Sequence, residues 1–385
     1  MQGLNKSPWG HGFADIIDRW NWDETTDQIM STTEDDVRRV LSKARLNTRR
    51  LEPEDFMVLI SPAGAGFIEE MAQLSRHFTR ERFGNTISMY IPMYVSNACS
   101  NACVYCGFNH ANKFERTVLT MEQVDAECRA IKELAPFDNL LIVSGEFPSL
   151  CGTEYFENVL NVCRRYFNNL TIEVQPLKTE QYIRLVKAGL NGVVCFQETY
   201  RRETYKNYHP RGMKSVYDWR LNGYDRMGAA GVHKIGMGVL IGLEDWRTDM
   251  TMLARHLRYL QKKYWRTRYS VNFPRMCPSE SGFNPNVVMS DRELAQLTFA
   301  FRIFDHDADI SFSTRESELF RNNMLSLGVT SMSAGSRTEP GGYALNQGAL
   351  EQFEVTDGRT PVQVADDIRA NGYDVVWKDW DSVFD

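Results

Sequence analysis

No stretch of this 385-residue chain approaches the ~18 consecutive apolar residues that cross a bilayer, so no membrane span is expected. The opening "MQGLNKSPWGHGFADI" lacks the charged-then-apolar plan of a secretory signal. An excess of positive charge is missing too. The formal net charge is -6, which argues against nucleic acid as the main partner, because phosphate binding favours a basic face. The one basic stretch, "RYLQKKYWRTRY" (258–269), reads as the solvated end of a helix. Cysteine is sparse, with 8 residues; without a secretory signal these read as reduced thiols of a cytoplasmic protein rather than a disulfide framework. Internal repeats and low-complexity segments are absent.

Hydrophobic residues at 43% and charged residues at 24% are ordinary globular usage, enough for a sizeable core. Residues 1–85 read mainly as a helical extension. In it "TTEDDVRRVLSKARL" opens on hydroxyl caps, and "GFIEEMAQLSRHFTRERFG" closes on Gly84. From residue 86 short apolar, β-branched runs alternate with amphipathic stretches. The runs are 86–96, 139–146, 170–176, 192–199, 234–244, 269–275, 309–316 and 328–336. Eight strands alternating with helices predict an α/β fold, a (βα)8 TIM-type barrel over 86–340. The tail, 341–385, holds one clear helix ("TPVQVADDIRANG") and an aromatic end, and is expected to pack on the barrel.

Several runs end in polar groups: Glu146, Glu173, Gln197, Glu198, Glu244, Arg275, Arg315, Ser331 and Ser333. Barrel enzymes assemble their chemistry at those strand ends, which converge on one mouth. After the first run comes "NACSNACVYCGFNH", in which Cys99, Cys103 and Cys106 follow a C-x3-C-x2-C spacing. Three thiolates are an incomplete ligand set. Zinc would need a fourth protein ligand, for which His110 is chemically acceptable. An iron–sulfur cluster with one open iron would instead leave a place for a non-protein ligand. Of the other cysteines, Cys128, Cys163 and Cys195 fall in amphipathic or apolar segments and read as core; Cys151 and Cys277 are loop-side. A second cluster built from these five is the alternative use for them.

The cysteine loop, with Tyr105 just before its last thiol, resembles the radical S-adenosylmethionine (SAM) superfamily. There the open iron of a 4Fe-4S cluster is chelated by SAM, which implies that the fourth ligand is the cofactor and leaves His110 without a role. "SGE" (Ser144, Gly145, Glu146) resembles the Gly-Gly-Glu motif that holds the SAM amino group, with Ser144 departing from its first glycine. "GVLIGLED" resembles the G-x-I-x-G-x-x-E motif along the adenine: Gly238 and Gly242 match, while Leu240 and Asp245 are substitutions. Glu173 and Glu198 stand where such proteins contact the ribose or methionine part of SAM, with no ground for choosing between them.

"SNACSNACVYCGF", "IEVQPL", "FQETYRRETYKNYHP", "STRES" and "SAGSRT" together resemble the 2-iminoacetate synthase family, the tyrosine lyases of bacterial thiamine biosynthesis. The resemblance runs from about residue 30 to "VWKDWD". It implies cleavage of the L-tyrosine Cα–Cβ bond to 2-iminoacetate and 4-cresol, with methionine and 5′-deoxyadenosine formed from SAM. It also implies a complex with the thiazole synthase and an electron donor such as flavodoxin or ferredoxin. Chemistry suggests the substrate contacts. A carboxylate in a dry pocket calls for a planar bidentate donor. Arg315 is the first candidate, Ser333 on the next strand a companion, and Arg275 a weaker one. The rivals are a radical SAM enzyme acting on another substrate such as tryptophan, or in sulfur transfer, and a zinc-stapled barrel.

Overall fold

A computed structural model describes residues 11–46, 50–345 and 348–378. The aromatic end of the tail past Lys378 lies outside the described residues. Nine strands form one sheet: β1 (Thr86–Ser96), β2 (Asn139–Ser144), β3 (Asn169–Glu173), β4 (Gly192–Glu198), β5 (Lys234–Val239), β6 (Arg268–Asn272), β7 (Asp309–Phe312), β8 (Ser331–Ser333) and β9 (Asp374–Val376). β1 to β8 pair in parallel in chain order, and β1 pairs with both β8 and β2, which closes the eight-stranded barrel. Helices fill the crossovers, as parallel pairing requires. All eight expected strands are present; the first matches its run, and the other seven are shorter at the C-terminal end than theirs, because the last residues turn into the loops of the mouth.

β9 was not expected. It adds to the outer edge of the long first strand, pairing Thr86 with Asp374 and Ser88 with Val376. The tail helix Pro361–Ala370 leads into it. The N-terminal helices form where the caps lie: Ile68–Phe83 ends at Gly84, whose φ of +66° suits glycine. They rest on the barrel's outer helices, and Gln296 Nε2 donates to the carbonyls of Leu59 and Ser61. The basic stretch needs a correction. Its Arg258 is buried, donating to Asp305 and to the carbonyls of Leu51 and Phe304, so it fastens the extension to the barrel.

Along the strands, residues alternate in an unusual sense. Ile87, Met89, Leu170, Ile172, Tyr269, Val271, Ile310 and Phe312 are buried, facing the helices. Their neighbours Ser88, Tyr90, Asn169, Thr171, Ser270, Asp309 and Ser311 line an internal cavity and stay partly accessible. Barrels of this type usually fill their axis with branched apolar side chains. Here the packed core is the ring between strands and helices, and the axis keeps a cavity whose wall mixes these polar side chains with apolar ones such as Leu141, Val194 and Phe196.

Candidate active site at the barrel mouth

The cysteine loop leaves β1 at Ser96 and is built by hydrogen bonds from three directions. Arg116 donates to four carbonyls of the loop, those of Asn97, Phe108, Asn109 and Asn112, at 2.7–3.0 Å. Asn97 Oδ1 accepts from the Thr117 amide, closing the loop at its base. Ser100 donates both its amide and its hydroxyl to the Glu146 carbonyl at 2.9 Å, tying the loop to the end of β2. Gly145 permits this approach, since a Cβ there would come 2.3 Å from the Ala98 carbonyl oxygen. On the far side the Ala102 and Val104 amides donate to the carbonyls of Arg211 and Tyr208.

Cys99, Cys103 and Cys106 all line one cavity of about 280 Å³ in the barrel mouth. They are free thiols. Burial pushes all three up, Cys99 to about 11, and the neighbouring thiols add to the effect. Thiols held this way stay protonated until a metal centre takes the proton's place. His110 is not with them. It is exposed at the loop's edge with Nδ1 3.3 Å from the Cys99 carbonyl oxygen. Among the described residues no three His, Cys, Asp or Glu side chains converge on a point suited to a single ion. The other cysteines are dispersed: Cys128 and Cys163 meet at 3.7 Å between two helices, and Cys277 alone reaches the cavity rim.

Below the thiols lies a buried set of charges. Glu146 Oε1 accepts from Arg220 Nη1 at 2.8 Å, and its Oε2 from Asn101 Nδ2 at 2.8 Å. Burial alone would raise the Glu146 pKa, but Arg220 and Lys214 outweigh it and hold the carboxyl below its usual range. Glu198 accepts from Lys214 Nζ at 2.6 Å. Its φ of +71° makes Glu198 the one non-glycine residue with positive φ among the described residues, at a bulge where β4 ends. Such strain is kept where the side chain's direction matters. Glu173 is different. Burial, then the Glu198 carboxylate, push its pKa up to about 7, only partly offset by Arg315, Lys214 and Arg220.

Arg315 lines the same cavity, its guanidinium 3.3 Å from the centre of the Phe353 ring. Ser333 is buried in the wall beside it. Tyr105 is also there, its hydroxyl 2.8 Å from His209 Nε2, and burial keeps that imidazole's pKa well below normal. Ser144 donates its hydroxyl to the Gly145 carbonyl. Three candidates stand off the cavity wall. Arg275 does not line the cavity and is held by Glu316, Asp291 and the Met289 carbonyl, a structural ion pair. Gly238 lies behind the wall, where a Cβ would strike the Phe196 ring at 2.3 Å; Gly242 is required by its φ of +130°. Gln197 and Glu244 also leave the mouth, the latter paired with Arg201 and the Tyr208 hydroxyl. Sequence reasoning missed Lys214, Arg220, Asn101 and Arg116. None carries a local signal, because each acts on a segment remote from it or through carbonyls.

The family model described as "Radical SAM superfamily" matches residues 93–254, and "Biotin and Thiamin Synthesis associated domain" matches 270–374. The chain is 45% identical over 369 residues to the 2-iminoacetate synthase of Escherichia coli, covering 95% of this chain and 96% of that protein. The chain belongs to the 2-iminoacetate synthase family. The Salmonella typhimurium 2-iminoacetate synthase matches equally, at 45% over 371 residues, covering 95% of this chain and 97% of that one. Among solved structures, HydG, a maturase of the FeFe-hydrogenase, superposes with a TM-score of 0.88 at 30% identity, covering 92% of this chain and 79% of that chain. HydG from Carboxydothermus hydrogenoformans gives 0.86 at 28%, covering 95% and 85%. Methylornithine synthase, at 20% identity and a TM-score of 0.68, covers 90% and 98% and shares the fold. The 2-iminoacetate synthase family is a radical SAM family, with a 4Fe-4S cluster and SAM as cofactors. Among the described residues no helix is long and apolar enough to cross a membrane.

Proposed function

We propose that this chain cleaves the Cα–Cβ bond of L-tyrosine, giving 2-iminoacetate and 4-cresol for the thiazole of thiamine. The observation that carries this reading is the meeting, in one cavity, of three free thiols with a fixed cation, Arg315, across a set of buried carboxylates. The donor set fits the cofactors. Thiolates are the ordinary ligands of iron–sulfur clusters, and three of them leave an iron for SAM. A cluster held by Cys99, Cys103 and Cys106 would supply the one-electron reduction of SAM, and with it the radical chemistry needed to activate tyrosine.

The chain's own residues bind, orient and exclude water. Each Glu146 oxygen has one protein donor, leaving lone pairs for the SAM ammonium, with Ser144 and Gly145 shaping the approach. Glu198, fixed by Lys214, and Glu173 face the ribose or methionine part, and Tyr105 shields the cluster side. Arg315 and Ser333 take the amino-acid end of tyrosine, with the planar guanidinium packed over the Phe353 ring. Gln352 roofs the mouth, accepting from the Tyr94 hydroxyl at 2.7 Å. An imine hydrolyses in water, so a roofed cavity suits its formation. The partners in this reading are the thiazole synthase, which consumes the imine, and a flavodoxin or ferredoxin as reductant, in the cytoplasm where thiols stay reduced.

The test is product analysis of anaerobically purified protein with tyrosine, SAM and dithionite. Equal amounts of 5′-deoxyadenosine and 4-cresol are expected. SAM cleavage with no 4-cresol, or turnover of tryptophan in place of tyrosine, would overturn the substrate; stoichiometric zinc without iron would overturn the whole reading.

A further inference from the structure

The charged side chains that line the cavity are nearly all paired with one another. Glu146 is bound by Arg220, Glu198 by Lys214, and Asp309 by Lys234. Two are left over. Neither the Glu173 carboxylate nor the Arg315 guanidinium makes an ion pair or a side-chain hydrogen bond among the described residues. Both are half-buried and line the cavity, so both are open to a bound molecule. They are of opposite sign. Arg315 lowers the proton affinity of Glu173, yet the two stand further apart than an ion pair.

Register places Glu173 beside Val143, and Val143 beside Tyr94, in the strand layer next to the cysteine loop. Burial raises the Tyr94 pKa; Glu173 adds to that and Arg315 opposes it, so both charges bear on one space. Stability does not call for this arrangement. A half-buried carboxylate without a partner is costly, and an ion pair or a glutamine at the same position would avoid that cost.

We infer that the Glu173 carboxylate receives the ammonium group of tyrosine and then takes a proton from it. The inference rests on the function proposed above, and it divides the amino-acid end between two charges: carboxylate to Arg315, ammonium to Glu173. A zwitterion set between them completes both pairs at once. The hydrogen count of the reaction also requires an acceptor at this place. The nitrogen carries three hydrogens in the ammonium and one in 2-iminoacetate, while a single hydrogen atom passes to the 5′-deoxyadenosine formed. At least one hydrogen therefore leaves as a proton. It moves from nitrogen to a Glu173 oxygen, and the electron pair of that N–H bond stays on nitrogen for the C=N bond. A base works best with a pKa near the working pH. Burial, then Glu198, hold Glu173 at about 7, partly offset by Arg315, Lys214 and Arg220. The phenols of Tyr90 and Tyr94 on β1 face it as well. Glu198, held by Lys214 at 2.6 Å, is left to the SAM side.

The test is equilibrium binding to anaerobic holoenzyme loaded with SAM and given no reductant, so that no turnover occurs. Two probes are compared: tyrosine and 3-(4-hydroxyphenyl)propanoate, which is tyrosine without its amino group. The parent should prefer tyrosine, and that preference should decline as pH falls through about 7 and the carboxylate takes up a proton. Glu173→Gln keeps the shape and removes the charge. Its preference should shrink about tenfold and lose the pH dependence, while affinity for the propanoate is kept. With reductant added, the variant should give less 4-cresol per 5′-deoxyadenosine than the parent. Equal weakening of both probes makes Glu173 a structural group and overturns the inference. Weaker SAM binding with the parent's preference for tyrosine makes it a cofactor ligand alone, and overturns it too. The parent's own pH series carries the test if the variant does not assemble its cluster: a flat preference across neutral pH overturns the assignment. Failure of the parent to form 4-cresol would overturn the tyrosine reading itself, a different result.

Discussion

Replacing Arg315 with lysine separates a substrate anchor from a structural cation. Among the described residues Arg315 makes no ion pair, whereas Arg275, the other candidate, is committed to Glu316 and Asp291. The Arg315 guanidinium lies over the Phe353 ring, 3.3 Å from its centre, and lowers the proton affinity of Glu173 without bonding to it. A charged group placed this way is supported by stacking and has its donors available. A charge-assisted hydrogen bond is worth about 1.5–3 kcal/mol. Arg315→Lys keeps the charge but loses the planar fork and part of the stacking, so about 1–2 kcal/mol of tyrosine binding should go, roughly 5- to 30-fold in Kd. The assay is equilibrium binding of tyrosine to the SAM-loaded holoenzyme, run beside the 4-cresol to 5′-deoxyadenosine ratio. A looser tyrosine also sits wrongly for hydrogen transfer, so the ratio should fall below that of the parent. SAM affinity and the cluster spectrum should not change. Wild-type tyrosine affinity with fully coupled products would show that Arg315 serves only to pack Phe353.

Changing Cys99, Cys103 or Cys106 to alanine should abolish SAM cleavage while leaving the far-ultraviolet circular dichroism unchanged. His110→Ala should keep both iron and activity, and loss of a bound metal from that variant would revive the zinc site. Glu146→Gln should weaken SAM binding in an equilibrium titration. It also leaves buried Arg220 short of a counter-charge, so the cofactor-free variant should melt lower, by up to about 3–5 kcal/mol for a broken buried pair. Unchanged SAM affinity with a lowered melting point would make Glu146 a structural partner of Arg220 alone. Glu173 sets a pH dependence. Its folded pKa of about 7 lies above the 4.5 ordinary for a glutamate, so the folded state binds the proton more tightly. Stability from this group is present below pH 4.5 and lost as pH rises to about 7, by roughly 3 kcal/mol in total. Cofactor-free Glu173→Gln should therefore match the parent at pH 4.5 and exceed it in chemical denaturation at pH 8; parallel pH curves would refute the buried-charge argument.

The cysteine spacing, the strand–helix alternation and the helix caps were legible because each is local. A C-x3-C-x2-C loop, the Thr33 and Gly84 caps and a two-residue strand period are written within a few neighbouring positions. The family resemblance rested on the same kind of stretch. The alternation in "NLTIE", "DISF" and "YSVN" was also plain in the sequence, but its meaning was not. A polar strand face points to solvent in an open sheet and to the axis in this barrel, and only closure of β8 onto β1 and β1 onto β2 decides between them. Arg275 and Arg315 show the same limit. Both follow apolar runs, yet one turns outward to Glu316 and the other inward, because the neighbouring loops and not the strands supply their partners. Lys214 and Arg220 reach Glu198 and Glu146 across 16 and 74 residues. Local sequence fixes which groups are available at a strand end; charge pairing across such distances depends on where the closed barrel brings the chain together.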